Sequence, residues 1–165
     1  MTQTSFPFEN IDTTETQFSK WARNIGEGVK GGPDDTKLLV TGDDSGLQVR
    51  IAAGEALVRG HYYISTAQET LTLDTAGTDT RIDAIVVELD PAANAIILKV
   101  VQGLAVASNP VPPTLTQTEA GVYQALLGLV TIGSAASTIL AGDVTDRRTF
   151  LSAQPAFSPF LLMGA

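Results

Sequence analysis

The sequence contains no cysteine, and this absence excludes several kinds of chemistry at once. Disulfides, thiolate nucleophiles and Cys-ligated metal sites all require that residue. Histidine is almost absent too, because His61 is the only one in 165 residues. A catalytic dyad or a His-ligated metal site would have to be built around this one side chain. We therefore expect the fold to be held together by packing and assembly alone.

Basic residues are scarce as well, since 10 Lys and Arg stand against 18 Asp and Glu and give a formal net charge of −8. The largest basic cluster is the pair Arg147-Arg148, so we expect no nucleic-acid partner, whose phosphates would be repelled. The apolar runs are too short and too interrupted to span a bilayer. Met1–Asn10 is polar with two Phe and does not resemble a secretory signal. These features predict a soluble protein without membrane insertion.

The residues that are present fit one folded domain. An apolar fraction of 44% with 17% charged residues is typical of a globular chain with a real hydrophobic core. We divide the chain into an N-terminal arm, helix and Gly-rich linker (1–36), a β-sandwich domain (37–150) and an apolar C-terminal tail (151–165). The tail has no period but contains Phe157, Phe160 and Leu161, so we expect it to dock on a partner.

One helix is predicted, from Asp12 to Val29. Its apolar residues fall on one stripe at helical spacing, namely Phe18, Trp21, Ala22, Ile25 and Val29. Asp12 as the N-cap with Glu15 three residues later predicts the start, and the glycines from Gly26 onward predict the end. The residues alone leave two interpretations open: the stripe packs on its own domain, or it forms a helix–helix seam around a three-fold axis.

In the β-sandwich domain the apolar period changes to two, which is typical of strands. Leu47–Ile51 alternates between apolar and polar residues. Ile82–Leu89 and Ala95–Val101 are joined by the turn-rich segment 90–94, which predicts an antiparallel hairpin. Their nearly continuous Ile and Val content predicts burial on both faces, by a second sheet on one side and by a helix or a neighbouring subunit on the other.

The rest of the domain continues in strands and loops. Ser108–Pro113 contains three prolines and predicts an extended loop. Tyr123–Ile132 is predicted as a strand, although its residues 125–127 would also allow a helix. A last strand is predicted near Thr138–Leu140. The fold expected from these patterns is mainly β, an antiparallel β-sandwich preceded by one N-terminal amphipathic α-helix.

Three motifs that bind ligands in other proteins have a simpler interpretation here. The segment 26–31 matches Gly-x-Gly-x-x-Gly, but a helix precedes it where a dinucleotide site needs a strand. The Asp pairs at 34–35 and 43–44 lack the spacing of a calcium loop and are typical of β-turns. His61 lies beside aromatic residues on a predicted strand and has no motif partner. We therefore predict no catalytic residue, no cofactor and no metal ion.

Charged residues at the edges of apolar strands are predicted to form structural ion pairs, because Arg–carboxylate pairs can fix register in a sandwich. They are Arg81, Asp83, Asp146, Arg147 and Arg148. Together they could form one inter-strand network. Ligand recognition by these arginines is the alternative.

The order of the segments carries a family resemblance. A Gly-punctuated apolar pair leads into an aromatic strand at 54–63, a Leu-x-Leu strand follows at 71–73, and a long strand begins with Arg-x-Asp at 81–90. A Pro-rich loop and the sequence Asp146-Arg147-Arg148 close the pattern. This order resembles the amino-terminal β-sandwich "shoulder" of receptor-binding and baseplate proteins of long-tailed bacteriophages, over roughly Thr13 to Phe150.

The resemblance implies a structural virion protein, made in the host cytoplasm, that forms a homotrimer in the tail tip or baseplate. It implies contacts with other tail proteins through the helical end and a role in carrying the host-recognition module. No second repeat, neck or head follows Phe150, which favours an adaptor over direct receptor binding. The interface residues we predict are Phe18, Trp21, Ile25, Val29, Phe157, Phe160 and Leu161.

Two other function classes remain as alternatives. A carbohydrate-binding module acting on host surface glycans would need an exposed aromatic platform, for which Tyr62-Tyr63 and the tail phenylalanines are the dense candidates. A small hydrolase lacks a Gly-x-Ser-x-Gly elbow and a second histidine. We therefore expect no enzymatic activity.

Overall fold

In a computed structural model of the chain, which describes residue 12 and residues 14–151, ten strands follow one short α-helix. The helix α1 is Glu15–Ala22, and a 3₁₀ turn at Arg23–Ile25 extends it. The strands are β1 (Gly28–Val29), β2 (Val40–Gly42), β3 (Gln48–Ile51), β4 (Gly54–Val58), β5 (His61–Ser65), β6 (Glu69–Thr72), β7 (Arg81–Asp90), β8 (Ala95–Val101), β9 (Tyr123–Ile132) and β10 (Val144–Asp146).

The strands form antiparallel sheets around one core, which confirms the mainly β sandwich preceded by a helix. The first sheet has the order β10-β9-β7-β8, and the other two have the orders β2-β3-β6 and β1-β4-β5. Gly128 of β9 shows how closely the layers approach, since an added Cβ would lie 3.3 Å from the Val40 side chain of β2. The core draws on all three sheets through residues such as Val29, Val49, Ile51, Val58, Ile85, Val87, Val130 and Ile132.

The predicted start of α1 is wrong by two residues. Thr14 is the N-cap, because its Oγ1 accepts a hydrogen bond from Gln17 N (3.3 Å) and its N donates to Gln17 Oε1 (2.9 Å). This capping box competes with the predicted one at Asp12 and Glu15. It leaves the Glu15 carboxylate free to approach His61, with 3.0 Å between Oε1 and Nε2.

The helical segment ends at Gly26, where the glycines predicted its end, but the place of Val29 on the apolar stripe is wrong. Gly26 and Gly28 have φ angles of 121° and 135°, which break the helix before Val29. Val29 belongs instead to β1, where it pairs with Ala56 and is only 2% exposed. It is a core residue and does not contribute to the predicted interface.

The long strands agree with the sequence analysis. β7 and β8 form the predicted hairpin, and β9 has the predicted bounds. The segment 108–113 is a loop, as predicted. β7 is buried on both faces, as predicted, whereas Ile97 of β8 is 51% exposed. β8 lies at the edge of its sheet, and the neighbouring subunit that could cover its exposed face stays a prediction.

The last strand was predicted in the wrong place. Thr138–Leu140 is irregular, and β10 pairs with β9 instead. Ile139 is nevertheless fully buried. Its backbone N donates to Gly46 O (3.0 Å), and its O accepts from Asp44 N (3.1 Å). A turn therefore satisfies the backbone of this core residue without a strand.

Candidate functional site

The exposed side of α1 carries large apolar side chains. Phe18, Trp21 and Ile25 are 57%, 54% and 48% exposed, and the Phe18 and Trp21 rings lie 5.8 Å apart. Ala22, on the same predicted stripe, is 3% exposed and attaches the helix to the sandwich. The predicted stripe is therefore divided: Ala22 contacts the domain, whereas the three large side chains face away from it.

Strand β5 extends this apolar region. Tyr62 is 51% exposed and lines a shallow groove of about 330 Å³ together with Phe18, Trp21 and Ile25, with Leu57 also in its wall. We call the exposed set Phe18, Trp21, Ile25 and Tyr62 the apolar surface. Ile64, two residues along on the same side of β5, is 55% exposed and continues it.

A polar group borders the apolar surface. The Tyr62 hydroxyl donates to Glu55, and Lys30 Nζ lies 2.7 Å from Glu55 Oε2. The hydrogen bond from Lys30 lowers the pKa of the Glu55 carboxyl, and the bond to Glu55 raises the pKa of the Tyr62 hydroxyl. Such a border of paired polar side chains around apolar ones is the arrangement found in protein interfaces.

The opposite side of α1 faces a cleft of about 400 Å³. Two arginines converge there on one carboxylate: Arg23 Nη1 lies 2.6 Å from Glu119 Oε1, and Arg59 Nη2 contacts Glu119 Oε2. The hydrogen bonds from Arg59 and then Arg23 lower the pKa of the Glu119 carboxyl. The guanidinium of Arg59 also lies 5.0 Å from the centre of the Tyr123 ring. We call this site the arginine cleft.

The turn between β4 and β5 positions Arg59. Its central residues Arg59 and Gly60 have φ angles of 51° and 78°, as a two-residue hairpin turn of type I′ requires. Gly60 is needed for a second reason, because a Cβ there would collide with the carbonyl oxygen of Ser19 in α1. Arg59 has no such freedom, and a non-Gly residue in this region costs about 1–3 kcal/mol. The close approach brings Arg59 and His61 against the helix.

His61 ties the helix to β5. Its Nε2 lies 3.0 Å from Glu15 Oε1, and its Nδ1 lies 3.2 Å from the carbonyl oxygen of Arg59. Within the described part of the chain its ring nitrogens thus contact a carboxylate and a backbone carbonyl rather than a Ser or Thr hydroxyl. The histidine holds α1 against the hairpin turn.

The predicted pair Arg81–Asp83 exists and is buried. Arg81 Nε and Nη2 donate to the two Asp83 oxygens at 2.7 and 3.0 Å, and both side chains are at most 3% exposed. Arg81 also donates to the carbonyls of Asp74 (2.7 Å) and Thr75 (3.0 Å), while Gly103 N donates to Asp83 Oδ1 (2.9 Å). The pair therefore fastens two loops to the start of β7.

Asp146 and Arg148 form a second, separate pair. Arg148 Nη2 lies 2.7 Å from Asp146 Oδ2, and Arg148 Nη1 donates to the carbonyls of Asp35 (2.8 Å) and Lys37 (2.6 Å). The bonds from Arg148 lower the pKa of the Asp146 carboxyl. Among the described residues Arg147 forms no ion pair, and its predicted pairing stays a prediction. The single inter-strand network is wrong, since each pair joins residues two apart on its own segment.

The Asp motifs lie in turns, whereas the Gly motif runs from the end of the helical segment through β1. Asp35 Oδ2 accepts from Gly32 N at 3.0 Å, and Asp43 accepts from Ser45 N at 3.1 Å. Gly26 ends the 3₁₀ turn after α1. Across residues 12 and 14–151, no three Asp, Glu or His side chains are grouped so as to hold a metal ion. The predicted interface residues Phe157, Phe160 and Leu161 lie outside the described residues.

Two clusters were missed by the sequence analysis. Glu88 is 6% exposed and bonds to Lys99 Nζ (2.7 Å) and Gln124 Nε2 (2.6 Å) on the neighbouring strands. The arginine cleft is the other. The sequence feature that could have indicated the cleft is Arg59-Gly60 between two strands, because hairpin turns of this type prefer Asn or Asp before the glycine.

Within the described ranges, no helix has both the length and the apolar character needed to cross a membrane. Comparison of the chain with protein-family models and with curated protein sequences gives no match.

Proposed function

We propose that the chain is a structural protein of a phage-like tail tip or baseplate, and that it assembles as a homotrimer through the apolar surface. The observation that carries the proposal is the exposure of Phe18 and Trp21 on α1 and of Ile25 on the 3₁₀ turn after it, with Tyr62 beside them. Contiguous apolar exposure of this kind marks interaction sites in soluble proteins.

Burial of the apolar surface would release substantial free energy. Each large side chain contributes about 1.5–3 kcal/mol when it moves from water to an apolar contact. In a closed ring, every subunit presents the same surface, so one helix per copy is enough to build the contact. The sandwich already has its own core from three sheets, so the apolar surface is available for assembly without loss of folding.

The segment order that resembles the phage shoulder domain supports the tail assignment and the number three. In that family the helical end anchors the trimer and the body carries the host-recognition module. The buried Arg81–Asp83 pair and the Asp146–Arg148 pair support a rigid body, since each holds loops against the sandwich. The proposal assigns the chain no reaction and no cofactor.

The assembly is tested by light scattering behind a sizing column. The wild-type chain is expected to be a trimer at micromolar concentration, and Trp21→Glu is expected to be a folded monomer, because a charge cannot be buried in an apolar seam without a partner. The matched control is Leu104→Glu, since Leu104 is 73% exposed but lies outside the apolar surface. The control variant should stay trimeric.

Three results would contradict this reading. A monomeric wild-type chain removes the homotrimer. A Trp21→Glu protein that remains trimeric places the contact elsewhere on the chain. A Trp21→Glu protein that unfolds, by circular dichroism, would mean that α1 serves its own domain.

A further inference from the structure

The described part of the chain ends beside the apolar surface. Leu151 Cδ2 lies 3.3 Å from the position that a Cβ would take at Gly26, and Gly26 directly follows Ile25 of that surface. The backbone is fastened at the same place, because Leu151 N donates to Val29 O (2.9 Å). The C-terminal tail, 152–165, therefore continues from a point next to Ile25.

The end of the described chain also shares a face with the apolar surface. Phe150 forms a parallel bridge with Val29 of β1, so it extends the β1-β4-β5 sheet. Phe150 and Tyr63 both pack on the core, and successive side chains of a strand point to opposite faces. Leu151 and Tyr62 therefore lie on the outer face of the same sheet.

The tail has the composition of a segment that docks. It contains no Asp, Glu, Lys or Arg, in a chain of net charge −8. Its large apolar residues are Phe157, Phe160, Leu161, Leu162 and Met163. Such side chains gain free energy when they leave water for an apolar contact, and the apolar surface provides that contact where the tail begins.

The tail is long enough to reach the whole surface. Its 14 residues can span about 46–50 Å when fully extended. Trp21 lies four residues before Ile25, which corresponds to about 6–8 Å along the helical segment. Because the tail and the surface belong to one chain, they meet at an effective concentration on the order of millimolar. This proximity favours the tail of the same subunit over a segment of another molecule.

We propose that the tail docks on the apolar surface of its own subunit and is displaced when subunits assemble. Both occupants need the same exposed side chains, so they compete, and the tail sets the concentration at which copies combine. The displacement rests on the proposed homotrimer, whereas docking in the free subunit does not depend on it.

Docking is tested by fluorescence, because Trp21 is the only tryptophan of the chain. The tail variant is the full chain with three replacements, Phe157→Ser, Phe160→Ser and Leu161→Ser. The matched control is Gln154→Ser with Ser158→Gln, which leaves the apolar content of the tail unchanged. The samples are diluted until light scattering shows a monomer. Wild type and control should then emit at shorter wavelength than the tail variant and be quenched less by acrylamide. Further dilution should not change this difference, because the contact is intramolecular.

Displacement is tested by the concentration at which half of the copies are trimeric. If the tail covers the surface about nine-tenths of the time, it weakens the apparent affinity of each copy about tenfold. Three copies change the assembly constant about a thousandfold, and the midpoint concentration by its square root, about thirtyfold. The tail variant should therefore assemble at roughly thirtyfold lower concentration than wild type or control.

The two readouts separate failure of the tail from failure of the trimer. Identical Trp21 emission in monomeric wild type and tail variant would overturn the docking. A difference that is present only in trimeric samples would also overturn it, because the tail would then cover another copy. A tail variant that assembles no more readily than wild type would overturn the displacement. A wild-type chain that stays monomeric removes the homotrimer alone, and the emission of that monomer still decides whether the tail docks.

Discussion

Removal of the Arg81 guanidinium is expected to destabilise the sandwich strongly. Arg81 forms four hydrogen bonds, two to Asp83 and two to the carbonyls of Asp74 and Thr75. In Arg81→Ala the carboxylate of Asp83, which is 0% exposed, keeps a single bond from the described residues, donated by Gly103 N. A buried charge would then lack its counter-charge, and two loop carbonyls would lose their donor.

The magnitude follows from that burial. Breaking a buried ion pair on one side costs about 3–5 kcal/mol, because the remaining charge is desolvated and unpaired. For a chain of this length, 1 kcal/mol shifts the melting temperature by about 2–4 °C, so Arg81→Ala should melt about 6–20 °C lower than wild type. The double variant Arg81→Ala with Asp83→Ala should be no less stable than the single one, since it removes the orphaned charge.

Urea unfolding followed by circular dichroism measures this effect, with all variants at the same concentration because an oligomer's stability depends on it. The matched control is Arg50→Ala. Arg50 Nε lies 2.8 Å from Asp43 Oδ2, nearly the Arg81–Asp83 distance, but the Arg50 side chain is 45% exposed. The Asp43 side chain is 5% exposed but keeps hydrogen bonds from Ser45 and Gln48 when Arg50 is removed. A pair with one partner in water is expected to contribute about 0.2–1 kcal/mol, as surface pairs do. Equal losses in the two variants would refute the claim that burial sets the cost.

Two further predictions concern the helix contact and acid stability. Gly60→Ala should lower the melting temperature more than Gly77→Ala. Both positions have φ above 70°, but of the two only a Cβ at 60 meets the carbonyl of Ser19. Equal shifts in melting temperature would show that the helix does not contact the turn closely. Arg148 lowers the pKa of Asp146, so the pair adds stability above pH 3.8, the carboxyl's ordinary pKa, that is lost as pH falls below it. Urea unfolding across this range should show a smaller acid loss for Arg148→Ala than for wild type, and an identical pH profile would contradict this.

The strands could be predicted because their signal is local. β7 and β9 carry long runs of Ile, Val and Leu that a helix exposed to water would not tolerate. The turn 90–94 fixes the pairing of β7 and β8 by its length alone. The two charge pairs that were found are also local, since Arg81–Asp83 and Asp146–Arg148 each join residues two apart on one side of the chain.

The errors arose where neighbouring signals compete. Asp12 with Glu15 and Thr14 with Gln17 both fit a capping box, and the contact between Glu15 and His61 selects the second. Residue 29 continues the helical stripe in sequence, but two glycines at positive φ redirect the chain and place Val29 in a strand. A tertiary contact decides the first case and the backbone conformation of Gly26 and Gly28 decides the second, and neither can be deduced from the apolar spacing alone.

The arginine cleft could not be predicted because its members are distant in sequence. Arg23 and Arg59 are separated by 36 residues, and Glu119 lies 60 residues beyond Arg59. No period or motif relates them, and they meet only after the hairpin turn packs under α1. The unusual Arg before Gly60 marks the turn as a place of interest in the sequence, but it does not indicate that Glu119 is the partner.

Helix α1 contributes residues to both the arginine cleft and the apolar surface, and its position depends on the rest of the domain. An isolated helix of eight residues is not stable in water. Its place is therefore set by the sandwich, through buried Ser19 and Ala22, the His61–Glu15 pair and the bonds that follow it at Arg23. The same contacts that shape the arginine cleft on one side hold Phe18 and Trp21 outward on the other. The apolar exposure is thus imposed by the fold, because α1 cannot rotate to bury Trp21 without breaking its polar contacts. This constraint supports the proposal that a second copy of the chain covers Trp21.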